Sequence, residues 1–139
     1  MRRRAALLAF ALFGLSGCAS VSQFVSRQYY PAQPKFVIFY GPYSSALDEG
    51  GLSTVAGAAE LALKEPTSTV QVVGFASAVG SDDADQGLAE ARTQAVETQL
   101  IADGVDASRV TTSARGATTY QFSANEARRV EIDVVKAGF

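Results

Sequence analysis

Residues 69–92 read TVQVVGFASAVGSDDADQGLAEAR, and how this stretch divides decides the fold. Thr69 to Gly74 is short and rich in valine, the composition of a buried strand. Three acids, Asp82, Asp83 and Asp85, then crowd a polar loop. From about Gln86 to Asp103 the residues Leu88, Ala91, Ala95, Val96 and Leu100 recur at helical spacing. Gly104 suits the left-handed position that ends a helix. Strand, acidic loop and helix thus follow one another, and the helix carries a single arginine, Arg92. Loop and arginine together read either as a binding pocket or as a polar cap on a helix.

The same two periods recur on either side. Phe36 to Tyr40 is a β-branched and aromatic run closed by Gly41-Pro42, which predicts a buried strand. From about Ser45 to Lys64 the residues Leu52, Val55, Ala56, Ala59 and Leu63 keep helical spacing, and Pro66 enforces the stop. Gly50 and Gly51 weaken the first turn, which favours a late start. Arg109 to Ser113 predicts a third strand. Arg129 to Val134 alternates, with Val130, Ile132 and Val134 on one face and Arg129, Glu131 and Asp133 on the other. Such alternation marks a sheet covered on one face only. The order predicts an α+β fold, β-α-β-α-β-β, with a mixed four-stranded sheet and two main helices on one face.

The N-terminal part has a different character. MRRR is a cationic start, and AALLAFALFGL is an apolar run short for a bilayer span. It ends in Leu15-Ser16-Gly17-Cys18, which resembles the lipobox of bacterial lipoproteins. That resemblance implies a signal peptide over 1–17 that is removed, and acylation of Cys18 with palmitate-type chains. Cys18 is the one cysteine in the chain, so an intramolecular disulfide is excluded. Several acyl chains, at ~0.8 kcal/mol per buried CH2, hold a protein durably on a membrane. Ala19 after the cysteine implies, by the same resemblance, the outer membrane with the domain facing the periplasm. Residues 18–34 then form a lipidated tether, since Pro31 and Pro34 disfavour helix and strand alike. The folded domain is expected over 35–136.

Composition removes several functions. The chain has no histidine, which excludes a histidine acid–base catalyst or a histidine metal site. Without Arg2, Arg3 and Arg4, nine bases face fourteen acids, the wrong balance for nonspecific nucleic-acid binding. The aspartates lack the spacing of a calcium loop, and no cofactor motif appears. Wall cleavage by an enzyme would need paired carboxylates, a based nucleophile or a metal, and none of these is written here.

From Val70 to Val134 the chain resembles the OmpA-like domain, the peptidoglycan-binding module of OmpA C-termini and of peptidoglycan-associated lipoproteins. The resemblance rests on Gly74-Phe75-Ala76-Ser77-Ala78-Val79-Gly80, where the family writes G-H-T-D-x-x-G, and on Leu88-Ala89-Glu90-Ala91-Arg92-Thr93, where it writes L-S-x-x-R-A. The position of the family aspartate, here Ser77, lies fifteen residues before Arg92, as the family spacing requires. Ala127-Arg128-Arg129-Val130-Glu131-Ile132 matches its N-R-R-V-E-I ending.

The resemblance implies a ligand: the diaminopimelate side chain of a peptidoglycan stem peptide, a zwitterion. Its ammonium needs a carboxylate and its carboxylate a guanidinium. Arg92 stands at the family arginine, and Arg128 at a supporting position. Ser77 replaces the acid, Asp85 the loop asparagine, and Phe75 the histidine, where it is expected to make the cleft more apolar. A neutral acceptor at Ser77 gives about 0.5–1.5 kcal/mol where a charged one gives about 1.5–3. Asp85 is the loop acid best placed to restore the charge. The plain alternatives are that the aspartates serve the helix dipole and that Arg92 pairs with an acid such as Glu131. Two functions stand: a peptidoglycan-binding staple on the outer membrane, or a diverged module that binds a protein partner in an envelope complex.

Overall fold

The computed structural model describes residues 35–77, 81–118 and 124–137. The expected signal peptide, the tether and Cys18 lie outside the described residues. The elements run β1 (Lys35–Phe39), α1 (Glu49–Lys64), β2 (Thr69–Ser77), α2 (Asp82–Ala102), β3 (Val110–Thr118), α3 (Ala124–Ala127) and β4 (Arg129–Val135). A 3-10 turn at Ala107–Arg109 leads into β3. The sheet order is β1-β4-β2-β3, with β2 and β3 parallel and β4 antiparallel to both β1 and β2. This is the mixed four-stranded sheet expected, with one short helix, α3, that the pattern did not announce.

Register explains the covered face. Val72 pairs with Ile132 and Val70 with Val134, while Ile38 pairs with Val130. All six are buried beside Val55, Ala58, Ala62, Val96 and Leu100 from the helices. Each fully buried aliphatic side chain stabilises the fold by about 1.5–3 kcal/mol before entropy is subtracted. The opposite face carries Lys35, Arg129, Glu131 and Asp133, joined by ion pairs of Lys35 to Glu131 at 2.9 Å and Arg129 to Glu131 at 2.6 Å.

Three boundaries, the start of α2 and the ends of β2 and β3, differ from expectation, each for a local reason. α2 begins at Asp82, four residues early, because Ser81 caps it: its Oγ accepts the Ala84 N–H at 3.3 Å. β2 and β3 extend to Ser77 and Thr118 because backbone pairing resumes after a register shift between Gly74 and Ala76. α1 starts late, at Glu49, as Gly50 and Gly51 favoured, with Asp48 Oδ1 accepting the Gly51 N–H at 2.7 Å.

Two glycines position the site. Gly104 has φ +100° and turns the chain out of α2, as its place in the sequence implied. At Gly74 a Cβ would lie 2.6 Å from both the Ala89 carbonyl oxygen and Thr93 Cγ2. The absent side chain lets α2 lie directly on β2, which brings its inner face against the end of that strand.

Candidate functional site

Asp85, Ala89, Arg92 and Val96 follow at spacings of four, three and four and form the buried stripe of α2. Two of these are charged. Arg92 is 0% exposed and Asp85 6%. They are seven residues apart, about 10.5 Å along the helix axis at 1.5 Å per residue.

Arg92 makes three hydrogen bonds, all to backbone oxygens. Nε donates to Ser44 O at 2.8 Å, Nη1 to Phe75 O at 3.0 Å, and Nη2 to Gly41 O at 3.1 Å. Its guanidinium lies 5.0 Å from the centroid of the Tyr40 ring. Among the described residues it forms no ion pair, so the alternative of a bridge to an acid such as Glu131 is not what the structure shows. Glu131 sits on the other face of the sheet, held by Lys35 and Arg129. Burial, with the nearby charge of Arg128 added, pushes the Arg92 pKa down, against a smaller opposing pull from Tyr40. An arginine is not deprotonated in proteins, so this is a buried cation whose partners among the described residues are backbone carbonyls and the Tyr40 ring.

Asp85 is the converse. Its Oδ2 is buried without a hydrogen-bond partner. The helix-dipole reading accounts for Asp82 and Asp83, which are exposed in the first turn, but Ser81 rather than Asp85 supplies the cap. A buried carboxyl group and a buried guanidinium therefore share one helix face, and among the described residues neither forms an ion pair.

Tyr40 links the third residue. Arg128 Nε donates to Tyr40 O at 3.3 Å, its guanidinium also donates to Asn125 Oδ1, and the Tyr40 N–H donates back to Arg128 O at 2.9 Å. Arg92 and Arg128 thus flank one residue. The Tyr40 hydroxyl is itself buried without a partner, and burial raises its pKa to about 12.

Of the four residues expected at the site, Arg92 and Asp85 share a helix face and Arg128 joins them through Tyr40. Ser77 is the last residue of β2, paired with Thr118, and the role expected of its hydroxyl falls outside the described side chains. Phe75 is a correction. It does not line the α2 side: Gly74 meets α2, and the alternation of β2 sends Phe75 to the charged face. There its ring lies 4.0 Å below the Arg129 guanidinium, with that of Arg115 at 5.8 Å. The residues that sequence reasoning missed are Tyr40, Gly41 and Ser44. Gly41 and Ser44 act on Arg92 through backbone carbonyls, for which side-chain identity carries no signal, and Tyr40 through its ring.

The sheet order, the paired helices and the charged inner face of α2 define an α+β module of OmpA-like architecture. The chain belongs to the OmpA family, whose model matches residues 39–132. It is 34% identical over 73 residues to the probable lipoprotein YiaD of Escherichia coli K12, a match covering 52% of this chain and 33% of that protein. The aligned part therefore spans about a third of that relative. Among solved structures, the OmpA-like domain of FopA1 from Francisella tularensis superposes with a TM-score of 0.65 at 22% identity, covering 75% of each chain. The peptidoglycan-associated lipoprotein of Burkholderia pseudomallei gives 0.61 at 16%, covering 71% of this chain and 87% of that one. The C-terminal domain of Helicobacter pylori MotB gives 0.63 at 23%, covering 76% and 86%. At these identities the structural likeness speaks for the fold.

Proposed function

We propose that this chain is an outer-membrane lipoprotein, anchored through Cys18, whose OmpA-like domain binds peptidoglycan non-covalently and tethers the membrane to the wall. One observation carries the reading: Arg92 and Asp85 are buried on one face of α2 and, among the described residues, neither forms an ion pair. A buried charge without a counterion is costly, and a zwitterionic amino acid supplies both counterions at once. In this assignment Arg92 takes the ligand carboxylate, Asp85 takes the ammonium in place of the acid missing at Ser77, and Arg128 adds positive field. Ser77 borders the ligand from the end of β2. The chemistry is recognition, with no bond broken. The OmpA-family membership and the lipoprotein relative support an envelope role.

The test is sedimentation of the detergent-solubilised full chain with purified sacculi. Wild type is expected to co-sediment, and Asp85→Asn, which keeps shape and loses charge, is expected to lose at least about tenfold in affinity, the equivalent of 1.4 kcal/mol. Equal capture of both would remove Asp85 from the site.

A second reading has its own observation. Arg92 has no exposed surface, and the segment from Gly41 to Ser44 closes over it. A module that had given up peptidoglycan for a protein partner in an envelope complex would keep its arginine in this structural role. Failure of wild-type chain to sediment with sacculi would favour that reading.

A further inference from the structure

We infer that the segment Tyr40–Ser44 is a latch, and that the guanidinium expected to receive the ligand's carboxylate is the same group that holds the latch shut. The inference rests on the zwitterion-binding reading above and concerns how that site is controlled. A carboxylate takes an arginine best through two parallel N–H donors. On one edge of Arg92 those donors are Nε and Nη2, which are bonded to Ser44 O and Gly41 O. Nη1 on the far side is bonded to Phe75 O, within the sheet. With the residue 0% exposed, a ligand reaches the guanidinium only by displacing a carbonyl. Phe75 cannot move without breaking the sheet. Gly41 and Ser44 belong to the loop between β1 and α1, and moving them frees the whole edge.

The closed segment carries two local costs. Tyr43 has φ +57°, a left-handed conformation that a non-glycine residue adopts only under constraint, and its side chain is 78% exposed, so burial does not repay it. The Tyr40 hydroxyl is buried without a partner. That raises the free energy of the closed state, because a buried polar atom loses its water without replacement. Opening relieves the backbone at Tyr43 and exposes this hydroxyl to water. What holds the segment down is a small set of contacts: the Arg92 fork, the ring contact to Tyr40, Arg128 on Tyr40 O, and the Tyr40 N–H bonded to Arg128 O at 2.9 Å, while the Ser44 N–H bonded to Gly41 O at 3.4 Å keeps its turn closed. Ligand and closed latch therefore compete for the same two donors, and binding is coupled to exposure of this segment.

Two measurements on the full chain in detergent test the latch. The first is amide hydrogen exchange at Ser44, read by NMR with and without a soluble stem peptide carrying diaminopimelate. The Ser44 N–H is expected to exchange at least about fivefold faster in the complex. Saturable binding with Ser44 exchange unchanged or slowed overturns the latch and leaves the binding function intact. Absence of any binding overturns the function and the latch with it. The second is a variant with two glycines inserted between Pro42 and Tyr43, which lengthens the segment and weakens its hold on Arg92. Its affinity for the same peptide is expected to rise at least about threefold. An unchanged or lower affinity, with the fold intact by circular dichroism, also overturns the latch.

Discussion

Replacing Asp85 with alanine should make the free protein more stable while it destroys binding. The carboxylate is 6% exposed and one oxygen has no partner, so the folded chain carries an uncompensated desolvation cost. Such a cost is about 1–3 kcal/mol for a buried polar group, and more for a charged one. Alanine also raises helix propensity by up to about 0.7 kcal/mol. Against these gains stands the loss of an acid from the first turn of α2, where the dipole favours it by about 0.3–1 kcal/mol. A small loss of packing adds to that side, and the balance is a gain of about 1–2 kcal/mol. For a domain of this size each kcal/mol moves the midpoint by about 4–8 °C, so Tm should rise by about 5–15 °C. The assay is thermal unfolding followed by circular dichroism, on the same preparation used for sacculus binding, which should fall at least about tenfold. A site residue held at the expense of stability gives this opposed pair of shifts. A drop in Tm with binding unchanged would refute the reasoning, because it would show that the carboxylate already has a stabilising partner.

Other consequences follow from the same geometry. Arg92→Lys keeps the charge, but a compact ammonium cannot span carbonyls on two separate segments, so stability should fall by about 2–4 kcal/mol; a urea midpoint within experimental scatter of wild type would contradict this. Gly74→Ala forces a Cβ to 2.6 Å from the Ala89 carbonyl oxygen, backbone that cannot swing aside, and should cost about 1–3 kcal/mol in the same urea assay. For Glu131, burial pushes the pKa up, but hydrogen bonds from Lys35 and Arg129 outweigh it and bring the net value below the ordinary 4.5. A depressed folded pKa gives stability that is present above the unfolded value and is lost as pH falls from about 4.5 through the folded value. Glu131→Gln should therefore flatten the pH dependence of stability in that acid window, and an unaltered slope would show that the ion pairs with Lys35 and Arg129 contribute nothing.

Much of the architecture was legible in the chain because its signals are periodic. The alternation of Val130, Ile132 and Val134 gave β4 and its covered face, and helical spacing in α1 gave the layer above it. Boundaries were less legible where capping and pairing override composition: Ser81 starts α2 ahead of its apolar residues, and backbone pairing carries β2 through Ala76 and Ser77. At the site, the spacing between Ser77 and Arg92 pointed to α2, and Asp85, singled out in the sequence among the loop acids, is buried on the same face of that helix as Arg92. The counterparts of Arg92 were illegible, because Gly41, Ser44 and Phe75 contribute only carbonyl oxygens. Phe75 was assigned to the cleft by analogy with the histidine it replaces. Strand alternation beside Gly74, a residue committed to α2, places it on the other face.

The most direct measurement compares two soluble stem peptides by calorimetry against the full chain in detergent. One carries diaminopimelate and the other lysine, which has the same ammonium but lacks the terminal carboxylate. If Arg92 and Asp85 grip the two ends of a zwitterion, the diaminopimelate peptide binds at least about tenfold tighter than the lysine peptide, a difference of 1.4 kcal/mol or more. In Asp85→Asn chain its affinity then falls by a similar factor. Equal affinity for the two peptides, or no heat from either, would contradict the account.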